Sequence, residues 1–306
     1  MTAPLAILYE HPAWFEPLFA ALDRRGIDFV KVHSGDHRFD PAGSPPPARL
    51  IFNRVAMSSF LRDSDHSIFY SMALLDHWRG AGATIINGPE TMAIDASKAR
   101  QLSLIERLGF ATPRTRVVHR AQDVVTAARE IGFPLLVKAN IGGSGAGITR
   151  FSALEELEQA IADKRLPASV DNVLLVQAYA PPRGGRITRV ETLGGHFLYA
   201  IDIKVDDTSF DLCPADACQV PGRSVTMTAV EPPPALVAAS EAIVRAAGID
   251  VGGIEYVVDD ADGIARFYDI NGLSNFVAKP LDVLGWDPHE RLVDHLETLI
   301  RERVDA

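Results

Sequence analysis

The chain has 306 residues, 47% of them hydrophobic and 23% charged, enough to bury a sizeable core in one compact body or in two to three packed lobes. Its formal net charge of −10 excludes non-specific nucleic-acid binding and an anionic membrane surface as partner, since both need a basic face. A local basic pocket for a phosphorylated ligand stays compatible with an acidic whole. Charged residues (Glu10, His11, Asp23, Arg24, Arg25) interrupt the start of the chain, and no later run reaches ~18 apolar residues, so neither a signal peptide nor a membrane span is expected. With only Cys213 and Cys218 as thiols, the expected home is the reducing cytoplasm.

In chain order, the first third alternates strands (5–9, 29–32, 50–52, 84–86) with helices marked by Trp14, Phe15, Leu18, Phe19 and Leu22, and by the run 68–79. That alternation predicts a mainly parallel sheet with helices on its faces. A helix bearing Met92, Ile94, Leu102, Ile105 and Leu108 ends at Gly109, and Gly109 to Pro113 reads as a lobe boundary. A strand (116–119), a helix (121–131), a strand (135–138), a glycine-rich turn and a strand (148–151) follow. The next helix is introduced by Ser152-Ala-Leu-Glu155, which has the form of a capping box. The last third opens with strands at 173–179, 187–193 and 197–204, then an irregular loop over 205–230. A helix (235–247), two strands (254–258 and 265–270) and a helix (288–301) close the chain. The expected division is 1–112, 113–172 and 173–306, an α/β protein built of α+β lobes behind an N-terminal parallel-sheet lobe.

Three groups of residues carry chemical promise. A strand ends on Lys138 and runs into Gly142, Gly143, Ser144, Gly145 and Gly147. Glycines let backbone N–H groups approach phosphate oxygens, and the lysine adds a point charge. No Gly-Lys-Ser/Thr follows, so this is not a Walker A loop. Asp269 and Asn271 share one face of a strand by period-2 spacing, and a short turn brings Glu255 beside them, a set of oxygen donors that suits Mg²⁺. Lys98 on a helix, with Arg189 and Lys204 on strands, adds a scatter of cations. Arg54 and Arg62 follow a strand end, where clefts open between lobes. Cys213 and Cys218 alone lack the further ligands of a zinc site and read as free thiols.

Taken in this order, Lys98, Lys138 with its glycine loop, the segment Val176-Gln177-Ala178-Tyr179, Arg189, and Glu255 with Asp269-x-Asn271 resemble the ATP-grasp superfamily. The pattern is similar above all to the ribosomal-protein S6 modification (glutamate ligase) and glutathione synthetase-like branch, from about Asn53 to Leu292. The resemblance implies an ATP-grasp fold with a pre-ATP-grasp lobe in front. It assigns Lys98 and Lys138 to ATP phosphates, residues 142–147 to a mobile flap, and Val176 to Tyr179 to a hinge that reads adenine. It also assigns Arg189 and Lys204 to the transferred phosphoryl group, and Glu255, Asp269 and Asn271 to two Mg²⁺ ions, for which Mn²⁺ is an alternative. Asp269 stands where the family usually has glutamate, Lys204 where it has arginine, and the hinge lacks the usual acidic residue for ribose.

The implied activity is ATP-dependent joining of a small-molecule carboxylate to an amine, with an amino acid or peptide as one partner, through an acyl phosphate that releases ADP and phosphate. Arg54 is the candidate clamp for a substrate carboxylate, and Asn275 is a second candidate substrate contact. A small-molecule kinase and a nucleotide-binding regulatory protein are the alternatives. A homodimer is the default assembly expected.

Overall fold

The computed structural model describes residues 3–61, 67–143, 147–205, 226–277 and 279–304. The first unit comprises β1 (Leu5–Tyr9), α1 (Pro12–Arg24), β2 (Phe29–His33), β3 (Leu50–Arg54), α2 (Ser67–Gly80), β4 (Thr84–Ile86) and α3 (Pro89–Asp95). Its sheet, ordered β2-β1-β3-β4, is wholly parallel, as the strand–helix alternation predicts. Parallel strands are covered on both faces, which is why β1 and β3 read as nearly continuous apolar runs. Leu5, Ile7, Leu50 and Phe52 turn toward α1, while Ala6, Leu8 and Ile51 turn toward α2 and its Leu74, Leu75 and Trp78.

Helix α4 (Lys98–Arg107) connects this unit to β5 (Thr115–Val118), α5 (Ala121–Ile131), β6 (Leu135–Ala139), β7 (Ile148–Phe151), α6 (Leu154–Ala162) and β8 (Leu174–Ala178). These four strands form an antiparallel sheet ordered β5-β8-β6-β7. Leu135, Val137 and Val176 alternate onto the face covered by α5 and α6, where they make a core of their own with Val124, Ala128, Ile131 and Phe151. The sequence groups β8 with the strands after it, but its hydrogen bonds run to β5 and β6, so it completes this middle sheet. The capping-box reading also changes. Ala153 is the N-cap of α6 without a side-chain bond, and the Ser152 N–H instead donates to Glu156 Oε2 at 2.8 Å.

The last unit holds β9 (Arg186–Leu193), β10 (His196–Lys204), β11 (Met227–Val230), α7 (Pro234–Ala246), β12 (Val251–Val258), β13 (Ala265–Asn271), α8 (Pro280–Val283) and α9 (Pro288–Val304). Its antiparallel sheet is ordered β11-β10-β9-β12-β13, and β11 lies inside the stretch that reads as an irregular loop. Val190, Ala200, Ile254 and Ile270 face α4 and α7. Ile187, Ile201 and Ile203 face the other way and join Leu292, Val293, Leu296 and α1 in one core shared with the first sheet.

Asn87 locks that union. It takes a left-handed conformation (φ 52°), which asparagine tolerates better than most residues. Its side-chain amide donates to the Val251 and Gly272 carbonyls at 2.6 Å each, and its Oδ1 accepts from the Asp250 N–H at 2.9 Å. Ser144, Gly145, Arg62, Cys213 and Cys218 lie outside the described residues. Among those described, no helix is long and apolar enough to cross a membrane.

Candidate active site

Antiparallel register builds the site on one face of the last sheet. Arg189, Glu255 and Asp269 lie opposite one another across β9, β12 and β13, and two residues along, Glu191, Gly253 and Asn271 form a second row on the same face. The centre of the second row must be glycine. A Cβ at Gly253 would meet Arg189 Nε at 2.9 Å and Glu191 Oε2 at 3.0 Å. The space it leaves lets the Arg189 guanidinium lie across the strand. Arg189 Nε donates to Glu191 Oε1 at 2.6 Å, and Nη1 donates to Glu255 Oε1 at 3.1 Å.

All three charges are buried, with Glu191 0% and Arg189 5% exposed. Burial works against the Arg189 cation, but Glu191 and Glu255 outweigh it and hold its pKa above the ordinary value. Glu255 is pushed up by burial first and then by Asp269, with Arg189 opposing. A cation placed between Glu255 and Asp269 would reverse that shift. Among the described residues no three His, Cys, Asp or Glu side chains converge as a metal cage does. The oxygen set is two carboxylates and the Asn271 amide, whose Nδ2 is buried without a hydrogen-bond partner.

Two lysines reach this face from elsewhere. Helix α4 lies against β13 because Gln101 uses its side chain as a strand would. Its Nε2 donates to the Ile270 carbonyl at 2.9 Å and its Oε1 accepts the Ile270 N–H at 3.1 Å. That anchoring sets Lys98, at the start of α4, in an ion pair with Asp269. Burial lowers the Lys98 pKa, yet Asp269 together with Glu255 and Asp95 offsets this and the net direction is upward. Asn140 ties the end of β6 to the same helix start, its Oδ1 accepting the Ala99 N–H at 2.9 Å. Lys138, two residues earlier, thereby comes under the influence of Lys98. Burial and then the Lys98 charge lower its pKa to about 8. Its Nζ sits 5.3 Å from the centre of the Tyr268 ring.

Outward from Lys138 runs an apolar cleft between the middle and last sheets, with an empty volume of about 650 Å³ that includes its open mouth. Leu136, Ile148, Ile187, Val257 and Tyr268 form its walls, and Gln177, Ala178, Tyr179 and Ala180 line its edge. The Val176 side chain is 0% exposed in the core under α5, so only its backbone is left to serve the hinge. The N–H groups of Ala178 and Tyr179 are also committed, to the carbonyls of Arg114 (2.8 Å) and Pro134 (3.2 Å). The hinge amide that no hydrogen bond occupies among the described residues is the next one, Ala180.

Of the glycine loop, Gly142 and Gly143 follow β6 and Gly147 precedes β7. Gly147 has φ +73°, and a Cβ there would lie 2.8 Å from the Ala139 Cβ. At Gly143 a Cβ would meet the Ser58 Cβ at 2.7 Å. Close approach demands both glycines, and the left-handed backbone demands Gly147 a second time.

Lys204 is not brought to the site. It is exposed at the end of β10, its register partner is Arg186, and alternation turns it away from the face of Ile201, the partner of Arg189. Arg54 is the opposite surprise. Read from sequence as either a carboxylate clamp or a surface residue, it is 2% exposed, beneath Phe52 and Phe15. Its Nη2 donates to the Ser274 carbonyl. Asn275 follows directly, with a buried Oδ1 that has no partner. Glu191, Gly253, Gln101, Asn140 and Ala180 were not singled out by sequence. Glu191 alone carried a visible signal, being acidic and two residues from Arg189 on a strand.

The family model described as carbamoyl-phosphate synthase L chain, ATP binding domain, matches residues 95–184. A D-alanine–D-alanine ligase of Pseudomonas entomophila is 31% identical over 200 residues, covering 62% of this chain and 59% of the relative. The chain thus spans about three fifths of that relative's length. Among solved structures, a RimK domain ATP-grasp protein from Sphaerobacter thermophilus superposes with TM-score 0.70 at 18% identity, over 95% of this chain and 98% of the other. The ATP-grasp ligase PsnB, in complex with a phosphomimetic minimal precursor, Mg and ADP, superposes with TM-score 0.69 at 17% identity, over 98% and 99%. The fold of this chain is that of the ATP-grasp proteins.

Proposed function

We propose that this chain, a member of the ATP-grasp superfamily, is a Mg-ATP-dependent carboxylate–amine ligase that forms an amide or peptide bond through an acyl phosphate and releases ADP and phosphate. The observation that carries this reading is the row Arg189–Glu255–Asp269, flanked by Asn271, whose two carboxylates act on Lys98 and on Lys138, the lysine that lines the apolar cleft. The residues fit the group they would hold. Glu255 and Asp269 are facing oxygen donors, Asn271 adds an amide oxygen in the neighbouring row of the same face, and the cleft walls are apolar enough for a purine.

In this reading the cleft takes adenine against Ala178, Tyr179 and the free Ala180 amide, and Lys138 and Lys98 meet the phosphates. Glu255, Asp269 and Asn271 hold Mg²⁺, two ions by analogy with the family, with Mn²⁺ as a substitute. An ion held there would neutralise phosphate charge. A carboxylate is a poor electrophile, and phosphorylation gives it a leaving group. Arg189, fixed by two carboxylates, presents its charge where the transferred group and the later oxyanion develop. Lys98 engages Asp269 through Oδ1 alone, so Asp269 Oδ2 would be available to a metal, and release of the pair would turn Lys98 toward phosphate. Gly142, Gly143 and Gly147 frame the flap that keeps water from the acyl phosphate. Lys204 has no part in this scheme. The substrates are small molecules of the amino-acid or peptide class.

Hydroxylamine tests this directly, because it intercepts an acyl phosphate as hydroxamate. Purified protein, Mg-ATP and a panel of amino acids and small carboxylic acids should give hydroxamate that depends on the acid, on Mg²⁺ and on Lys138. ADP formation with a hydroxylated compound and no hydroxamate would sink the ligase reading in favour of a kinase.

A further inference from the structure

Arg54 is among the largest fully enclosed side chains of the molecule, and it is charged. It stands at the carboxyl end of β3, in the position where open parallel sheets receive their ligands. Among the described residues only one of its three nitrogens is used, Nη2 on the Ser274 carbonyl, while Nε and Nη1 are buried without an acceptor. Glu191 and Asp95 are close enough to feel its charge, but neither bonds it, and Glu191 Oε1 is already taken by Arg189. Desolvation lowers the pKa of Arg54 to about 9, opposed by those two carboxylates. Orphaned buried donors cost free energy, and a neutral side chain of similar length would fill the same space between Phe15 and Phe52 without that cost. Next to the Ser274 carbonyl that Arg54 holds, Asn275 presents the complementary defect, a buried acceptor with no donor.

We propose that Arg54 is a preformed seat for a substrate carboxylate that is not activated, so that the amine-supplying substrate is an amino acid, with Asn275 Oδ1 available to its N–H donors. The reasoning rests on the ligase reading above. A carboxylate paired with a guanidinium is a weak nucleophile, unsuited to attack on a phosphoryl group. Arg54 also belongs to the first sheet, whereas Glu255, Asp269 and Asn271 belong to the last. The seat selects the amine partner, and the metal row handles the carboxylate that reacts.

Thermal denaturation of the full chain without nucleotide, in a panel of free amino acids and their matching carboxamides, tests the seat. At least one free acid should raise the Tm above that of its amide, since a ligand of the native state stabilises it by mass action. In Arg54→Met the ligand-free Tm should match or exceed that of the wild type, and affinity for that acid should fall tenfold or more. Arg54→Lys, which keeps the charge, should retain a weakened response. The proposal is overturned if no acid outperforms its amide with the wild type, or if Arg54→Met keeps the response. The hydroxylamine trap separates this from the ligase reading. Hydroxamate without any acid-over-amide response overturns the seat and leaves the ligase. An Arg54-dependent response with ADP formed on a hydroxylated compound and no hydroxamate supports the seat and sinks the ligase.

Discussion

The last sheet and the middle sheet bring charge to the same cleft by different means. On the last sheet, Arg189, Glu255 and Asp269 are aligned by ladder register, two carboxylates grip one guanidinium, and the whole face is fused to the first sheet through a common core. The middle sheet has its own core under α5 and α6, and its lysine, Lys138, depends on Asn140 and the start of α4 for its relation to the site. One half is therefore preorganised at the cost of burying several charges. The other is a separately packed body joined to it by a few polar contacts, an arrangement suited to closing over a nucleotide.

Breaking the rigid half should cost most. Glu191→Leu strips Arg189 of its shorter hydrogen bond and leaves a buried cation with one partner, so unfolding in urea should show a loss of ~3–5 kcal/mol. An unchanged midpoint would mean that Glu255 alone holds the guanidinium. On the other half, Lys138→Ala or Asn271→Ala should lower kcat on the order of 10²–10³, with the fold retained by circular dichroism. Near-wild-type turnover in both would dissolve the assignment of the cleft.

Gly253→Ala probes the fit between the rows. A methyl 2.9 Å from Arg189 Nε should cost ~1–3 kcal/mol and displace Arg189, so turnover should drop more than nucleotide affinity does. The pH dependence of ATP binding reports the middle sheet. The Lys138 pKa of about 8 lies below its ordinary value, and a polyphosphate favours the protonated lysine. Affinity should be full below pH 8 and decline above it, approaching tenfold per pH unit, until the pKa of the bound state is reached. Lys138→Met should flatten that profile. The smallest effect is expected at Lys204→Ala, within about 0.5 kcal/mol in stability, with little change in turnover. A large loss of turnover would return Lys204 to the site.

Much of this was legible from local pattern. The parallel first sheet followed from strand–helix alternation, and Glu255, Asp269 and Asn271 followed from period-2 spacing and a short turn. Lys138 and its glycines announced themselves because a strand ending in lysine before a glycine cluster is a local signal. Less legible were the pairings. The segment that became β8 looks the same whichever sheet accepts it, and β11 was hidden in a stretch with little periodicity.

By itself, the sequence determined the elements, the acidic row and the glycine loop, because strand alternation, short turns and glycine clusters are properties of neighbouring residues. Only the tertiary structure decided that Arg54 is buried, that Lys204 faces away, that Glu191 and Gly253 shape Arg189, and that Gln101 and Asn140 bring two lysines together. Each of those depends on contacts between residues far apart in the chain, where burial and register, which no local pattern contains, set whether a charge is a surface ornament or part of a site.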